Sequence, residues 1–211
     1  MANELTLVLS NGGLRSLTAL AMAVEEVGAR RVGVVHGVEP RPGAVRRAQT
    51  ARRQAEHLGV RRFYELNLGH LKPETEPPAG TRATLALTQV LLAAMARAID
   101  LRAGRVIWPA QVGQDHEQVG LLSERALAVR QLAAIDHAEA PPIHTPLLEL
   151  NDSELVLLAA QMRLPLELAW SCLGTTARPC GACDGCRRRH RAFEQAGVVG
   201  PGAAATARPG A

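Results

Sequence analysis

The stretch LTLVLSNGGLRSLTALAMAVEEVGARRVGVVH, residues 5–36, decides the fold. Leu5 to Leu9 is an unbroken apolar run of strand length, so it reads as a buried strand. The turn Ser10-Asn11-Gly12-Gly13-Leu14-Arg15-Ser16 comes next. Leu17, Leu20, Ala21, Val24 and Val27 then recur at helical spacing, and Gly28 stops the helix. Arg31 to His36 reads as a second strand. A strand, a glycine-rich turn, a helix and a strand make one unit of a parallel sheet covered by helices.

The remaining chain repeats that alternation. Ala44, Ala48, Ala51, Ala55 and Leu58 form one apolar face, predicting a helix over 44–58 that stops at Gly59. Its Arg46, Arg47, Arg52 and Arg53 read as a solvated face. Arg62 to Leu68 suits a third strand, and the proline-rich 70–80 a loop or lid. A helix over 82–102, apolar around much of its girth, is expected to lie centrally and to stop before Gly104. Arg105 to Trp108 is a fourth strand. Asp115, His116 and Glu117 follow its carboxyl end, where ligands bind in open α/β sheets. A helix over 121–137, a short fifth strand over 143–146 and a capped helix from about Asn151 complete the pattern, with a last short helix over 187–196. His36, His116 and His144 are candidate site residues whose bland alternative is a structural histidine. The expected division is 1–165 as a nucleotide-binding α/β unit, 166–198 as a metal-binding subdomain, and 199–211 as a disordered Gly/Ala/Pro tail.

The opening turn has a physical use. Two glycines let the backbone approach an anion closely, and the free N–H groups of a helix start, with its dipole, bind phosphate. Ser10, Asn11 and Ser16 add hydrogen-bonding side chains. A tight turn without a ligand is the bland alternative.

All four cysteines fall in SCLGTTARPCGACDGC, as Cys172, Cys180, Cys183 and Cys186. Four thiolates so close in sequence can close a tetrahedral site, the geometry and ligand type that Zn²⁺ prefers. Gly181 and Gly185 relieve the crowding of such knuckles. An iron–sulfur cluster and a redox C-x2-C pair stay open as alternatives. Two disulfides are disfavoured, because Met1 leads almost directly into a strand and leaves no room for a secretory leader. A reducing, cytoplasmic location follows as an expectation.

The chain has 211 residues, 47% hydrophobic and 21% charged, enough for one good core. No apolar run approaches membrane-spanning length, so no membrane contact is expected. The formal net charge is +4, and all but one of the cations are arginine, which favours anionic ligands. Only Phe63, Tyr64, Trp108, Trp170 and Phe193 are aromatic, too few for a platform that stacks nucleic-acid bases.

The two motifs together resemble the 7-cyano-7-deazaguanine synthase family, within the PP-loop ATP pyrophosphatase superfamily. The opening turn is similar to that superfamily's S-G-G-x-D-S loop. The segment IHTPLLELNDSELVLLAAQMRLPLELAWSCLGTTARPCGACDGCRRRHRAFEQAGV, residues 143–198, follows the family's carboxyl-terminal pattern almost without gaps. The resemblance implies a doubly wound, mostly parallel five-stranded sheet of the adenine nucleotide alpha hydrolase type, with a small zinc-binding subdomain at the carboxyl end. It implies an ATP-dependent C–N ligase that turns a 7-carboxy-7-deazaguanine-type carboxylate and ammonia into a nitrile for queuosine-type pathways. ATP with Mg²⁺ and structural Zn²⁺ are the implied cofactors. The implied polyphosphate-holding residues are Ser10, Asn11, Gly12, Gly13, Leu14, Arg15 and Ser16, and the implied metal ligands are the four cysteines.

The loop departs from that pattern. Asn11 stands at the first serine and Arg15 at the aspartate. A guanidinium there would repel Mg²⁺ while gripping phosphate directly. His36-Gly37-Val38 stands for a tyrosine-glycine-glutamine step, Gly80 to Ala83 for a glycine-arginine-asparagine step, and Arg163 for a helix-ending glycine. A second reading is therefore a divergent paralogue that keeps fold and zinc, has impaired turnover, and binds a nucleotide, deazapurine or protein partner. A third, weaker one is a nucleic-acid binder using Arg187 to Arg191. A homodimer remains open, and no catalytic residue is assigned.

Overall fold

The computed structural model describes residues 4–38, 43–69, 86–175 and 178–201. The 70–80 loop, the Gly80 to Ala83 step and most of the 199–211 tail lie outside the described residues.

The sheet has five parallel strands in the order β3-β2-β1-β4-β5. These are β1 (Leu5–Ser10), β2 (Val32–Val38), β3 (Arg62–Asn67), β4 (Ala103–Ile107) and β5 (Ile143–His144). The helices are α1 (Leu14–Val27), α2 (Ala44–His57), α3 (Ala86–Asp100), α4 (His116–Ala134), α5 (Asp152–Gln161) and α6 (Asp184–Gln195). Strand β1 is central and buried along its whole length. Side chains alternate across a strand, so β1 feeds two cores. Leu5, Leu7 and Leu9 pack with Leu91, Ala94 and Met95 of α3 and with Ala126 and Val129 of α4. Val8 packs on the other face with Ala19, Leu20 and Ala23 of α1, Ala55 of α2 and Leu155 of α5. A sheet covered on both faces requires apolar residues at both parities, which LTLVL supplies.

Several boundaries differ from the sequence expectation, among them the end of α4 at Ala134 and of β5 at His144. Helix α3 stops at Asp100, not Arg102, because Arg102 turns left-handed at φ 51°. Gly104, expected as the stop, instead sits inside β4. Helix α4 starts at His116, not Leu121, because Asp115 accepts the Gln118 N–H at 3.1 Å and caps it. Helix α6 starts at Asp184, directly after Cys183.

Helix α5 opens on a capping box. Asn151 accepts the Glu154 N–H, and the Glu154 carboxylate accepts the Asn151 N–H. Its end explains the Arg163 anomaly. Leu164 N–H donates to Ala159 O at 3.0 Å and Arg163 N–H to Ala160 O at 2.9 Å, the paired bonds of a Schellman stop. Arg163 holds the left-handed position at φ 54°, which favours glycine. Arg163→Gly is expected to raise stability by about 1 kcal/mol, checked by denaturant melting.

Helix α6 returns to α5. Ala192 and Phe193 pack on Val156, with Leu14 at the start of α1 at the edge of the contact. The carboxyl-terminal helix therefore lies beside the opening of the glycine-rich turn.

Candidate functional site

In a sheet of order 3-2-1-4-5 the connections reverse direction between β1 and β4. A crevice forms there, at the carboxyl ends of the strands. The observed cleft, about 780 Å³, lies at this switch point. Asn11, Gly13, Leu14 and Arg15 line it from the first turn, His36 and Gly37 from β2, and Gln111 from the loop after β4. Asp152 enters from α5, Trp170 to Leu173 from the loop before the cysteines, and Arg188, Arg189 and Arg191 from α6. The volume falls in the range of small-molecule pockets.

The glycine-rich turn is held from behind. Gly12 has φ 75°, and a Cβ there would stand 2.7 Å from Arg47 O and 3.1 Å from Ala51 N. Its glycine is thus required by helix α2, which the turn touches backbone to backbone. Gln54 of α2 is fully buried and donates to Gly12 O at 3.0 Å, Gly13 O at 3.3 Å and Leu168 O at 2.7 Å. Trp170 N–H also donates to Gly12 O, at 2.8 Å. One amide side chain therefore joins the turn, α2 and the segment leading to the cysteines.

The front of the turn is partly filled by its own side chain. Asn11 Oδ1 accepts from Gly13 N–H at 3.0 Å and from the Ser16 hydroxyl at 3.0 Å. Ser16 Oγ in turn accepts the Asn11 N–H at 3.0 Å, and Ser10 Oγ accepts the Gly12 N–H at 3.3 Å. No side chain caps α1, whose first bonded amide is Leu17 on Gly13 O. The N–H groups of Leu14, Arg15 and Ser16 consequently have no acceptor within the helix, which leaves the dipole end open to an anion.

Three charges face one another in the cleft. Arg188 Nε and Nη2 donate to the two Asp152 oxygens at 2.6 and 2.8 Å. Gln111 Nε2 donates to the same carboxylate at 3.2 Å. Burial raises the Asp152 pKa, but the Arg188 bonds and charge, the Gln111 bond and Arg15 together leave it below its ordinary value. Arg15 meets Asp152 and Arg188 through space, and burial followed by the like charge of Arg188 holds its guanidinium below the usual range. This set does not suit Mg²⁺, which needs free carboxylate oxygens. The cleft's carboxylates among the described residues are Asp152, held by Arg188, and Asp184, held by Arg187. Asp115, His116 and Glu117, expected near the site, do not line the cleft, and Asp115 serves as a cap. His144 is exposed on β5, whereas His36 is buried with Nδ1 2.7 Å from Ser10 O.

The four cysteine sulfurs lie within 4.8 Å of one another. Backbone amides surround them. Cys172 Sγ accepts from Gly174 and Cys180 N–H, Cys183 Sγ from Leu173 N–H, and Cys180 Sγ from Cys183 N–H, all at 3.3–3.4 Å. The N–H groups of Leu173 and Cys186 bring the Cys183 thiol down to about 6, while burial pushes Cys186 up to about 12. Such a quartet can hold a metal ion, which would ionise the buried thiol by coordination. Gly185 packs its Cα against the Ser171 carbonyl, where a Cβ would stand 2.0 Å away. Gly185→Ala is expected to push Cys172 out of the quartet and cut metal content at least tenfold, read by elemental analysis of the purified variant.

The basic run after the cysteines stays largely exposed, but three of its guanidiniums are bonded to the protein. Arg187 bonds Asp184 and Ala182 O, Arg188 bonds Asp152, and Arg189 donates to Ala169 O and Leu166 O. Arg46 and Arg47, expected on a solvated face, instead reach the site. Arg46 lies over the Trp170 ring at 5.1 Å and Arg47 lines the cleft. Sequence reasoning also passed over Gln54, Gln111 and Asp152, and read Arg188 only as part of a basic run. Gln54 carried a signal, being a polar residue inside the Ala51/Ala55 stripe.

A family model described as "Queuosine biosynthesis protein QueC" matches residues 124–197. The 7-cyano-7-deazaguanine synthase of Koribacter versatilis is 28% identical across 92% of this chain and 90% of its own length. That of Chlorobaculum parvum is 24% identical across 92% and 93%. A Chlorobium phaeobacteroides relative of the same name reaches 46% identity across 28% of this chain and 26% of its own. Among solved structures, NMN synthetase from Francisella tularensis superposes with TM-score 0.54 at 16% identity, covering 96% of this chain and 81% of that one. The U34-tRNA thiolase NcsA from Methanococcus maripaludis, with its [4Fe-4S] cluster, gives 0.51 at 17% identity, covering 92% and 65%. Those two likenesses concern the fold. With the sheet order and the cysteine quartet, these matches make the chain similar along nearly its whole length to 7-cyano-7-deazaguanine synthases, and its carboxyl-terminal third to the QueC family model.

Proposed function

We propose that this protein is an ATP-dependent ligase that joins ammonia to a 7-carboxy-7-deazaguanine-type carboxylate. The observation that carries the reading is the arginine-rich cleft at the β1/β4 switch point, bounded by an uncapped helix start. Two anions have to meet there, a polyphosphate and a carboxylate. Arg15, Arg188 and the open amides of α1 can hold one while Gln111 and the backbone near Trp170 face the other. Charge stabilisation and positioning would supply most of the acceleration. The test is conversion of ATP to AMP and pyrophosphate with 7-carboxy-7-deazaguanine and ammonia. Acid-dependent AMP formation is expected.

One observation favours the second reading, an impaired paralogue. Asn11 Oδ1 already occupies the Gly13 amide and the Ser16 hydroxyl that a phosphate oxygen would use. If AMP does not form, and Asn11→Ser with Arg15→Asp does not restore it, the binding-only reading replaces the enzyme.

The thiol quartet is proposed to hold structural Zn²⁺. At Zn–S distances of about 2.3 Å a tetrahedral site spaces its sulfurs by about 3.8 Å. The quartet, within 4.8 Å throughout and 4.0 Å between Cys172 and Cys183, needs little closure to reach that. A cluster would spread its thiolates over separate irons. The ion would supply structural cross-linking, tying the loop before Cys172 to α6. On this reading 166–198 acts as the metal-bound subdomain attached to the α/β unit 1–165, in a cytoplasmic protein.

A further inference from the structure

We propose that the cleft grips a magnesium-free pyrophosphate group directly, between Arg15 and Arg188, with Asp152 as the displaceable counter-ion that holds the place of the ligand. The inference rests on the reading of the cleft as a polyphosphate site and adds how the charge is neutralised. Three observations carry it. The first turn presents a guanidinium, Arg15, beside the open amide end of α1. A second guanidinium, Arg188, arrives from α6 and is bound bidentately by Asp152 at 2.6 and 2.8 Å. The cleft's carboxylates among the described residues, Asp152 and Asp184, are already paired with arginines.

A bidentate arginine–carboxylate pair has the geometry of an arginine–phosphate pair. Asp152 therefore sits as a phosphate would, and Arg15 lines the same cleft. An entering pyrophosphate meets both guanidiniums and exchanges for the carboxylate without passing through a metal. A magnesium complex of the same anion arrives with part of its charge cancelled and meets a half-buried like charge in Arg15. Binding should thus be strongest without Mg²⁺ and should weaken as salt rises.

The experiment is calorimetric titration of the zinc-loaded full chain with inorganic pyrophosphate, in buffer freed of divalent ions by a chelating resin and again with excess Mg²⁺. ATP is titrated in parallel. The expected result is binding in the metal-free buffer that weakens at least tenfold on adding Mg²⁺. Arg15→Gln, a substitution on a helix's first turn, should lose at least tenfold. Asp152→Asn should tighten binding severalfold, because the competitor is gone. Binding of pyrophosphate or ATP only with Mg²⁺ overturns the inference and leaves the polyphosphate reading standing, as does Arg15→Gln binding like the wild type. Asp152→Asn binding more weakly overturns the counter-ion role. Absence of binding by both ligands in both buffers overturns the inference and the polyphosphate reading together.

Discussion

Stripping the metal proposed for the thiol quartet, or replacing Cys186 by serine, is expected to release α6 from the body of the protein. Ion binding at four-thiolate sites contributes about 10–16 kcal/mol of apparent folding energy, as much as a whole domain's net stability. The buried apolar contact that α6 makes is small, Ala192 and Phe193 against Val156, with Leu14, Leu166, Ala196 and Val198 partly buried around it. Burying such side chains is worth about 1.5–3 kcal/mol each at most, too little to fix a twelve-residue helix alone. Release would unfold the run Arg187 to Arg191, which is largely exposed but held in helical form, with Arg188 and Arg189 bonded to Asp152 and to backbone carbonyls. Limited trypsin digestion should therefore cut at this run in the stripped protein and spare it in the loaded one. Trp170, beside Cys172 and under Arg46, should shift its emission to the red. An unchanged digestion pattern after complete metal removal would refute the cross-linking role.

Gly12→Ala is expected to destabilise the protein by about 3 kcal/mol. The left-handed conformation costs a residue with a Cβ about 1–2 kcal/mol, and forced contact in a packed site about 1–3 kcal/mol. Both apply, since Gly12 has φ 75° and its Cβ would meet backbone atoms of Arg47 and Ala51 rather than a movable side chain. The opposing wall is a helix buried through Ala51, Gln54 and Ala55, so it cannot retreat. For a chain of this size the melting temperature should fall by roughly 6–12 °C. Asn11→Ala provides the contrast. It removes only the turn's side-chain bonds at an exposed position and should cost about 1 kcal/mol. Thermal melts of both variants test the pair, and a Gly12→Ala melt within a degree of the wild type would refute the packing argument.

The glycines of the opening turn show why motif reading reached only part of the site. In sequence, Gly12 and Gly13 indicate close backbone approach without naming what approaches. At Gly12 the partner is helix α2, some forty residues away along the chain. Asn11 and Arg15 were legible as departures, but whether Asn11 faces out or folds back on Gly13 depends on atoms a pattern does not contain. Asp152 read as part of a helix start and proved to be a paired carboxylate of the cleft, bound by an arginine thirty-six positions away.

The sequence by itself determined the parallel sheet, its five strands and the cysteine quartet, because these follow from local periodicity and spacing. A run of LTLVL has to be buried on both faces, and four thiols spaced C-x7-C-x2-C-x2-C need little chain to converge. The tertiary structure alone decided which charges share the cleft. Arg15, Asp152 and Arg188 lie on three separate helices, and only the packing of α6 on α5, beside the start of α1, brings them to one point. Electrostatic neighbours are set by folding in space, and nothing in their order along the chain encodes the distance between them.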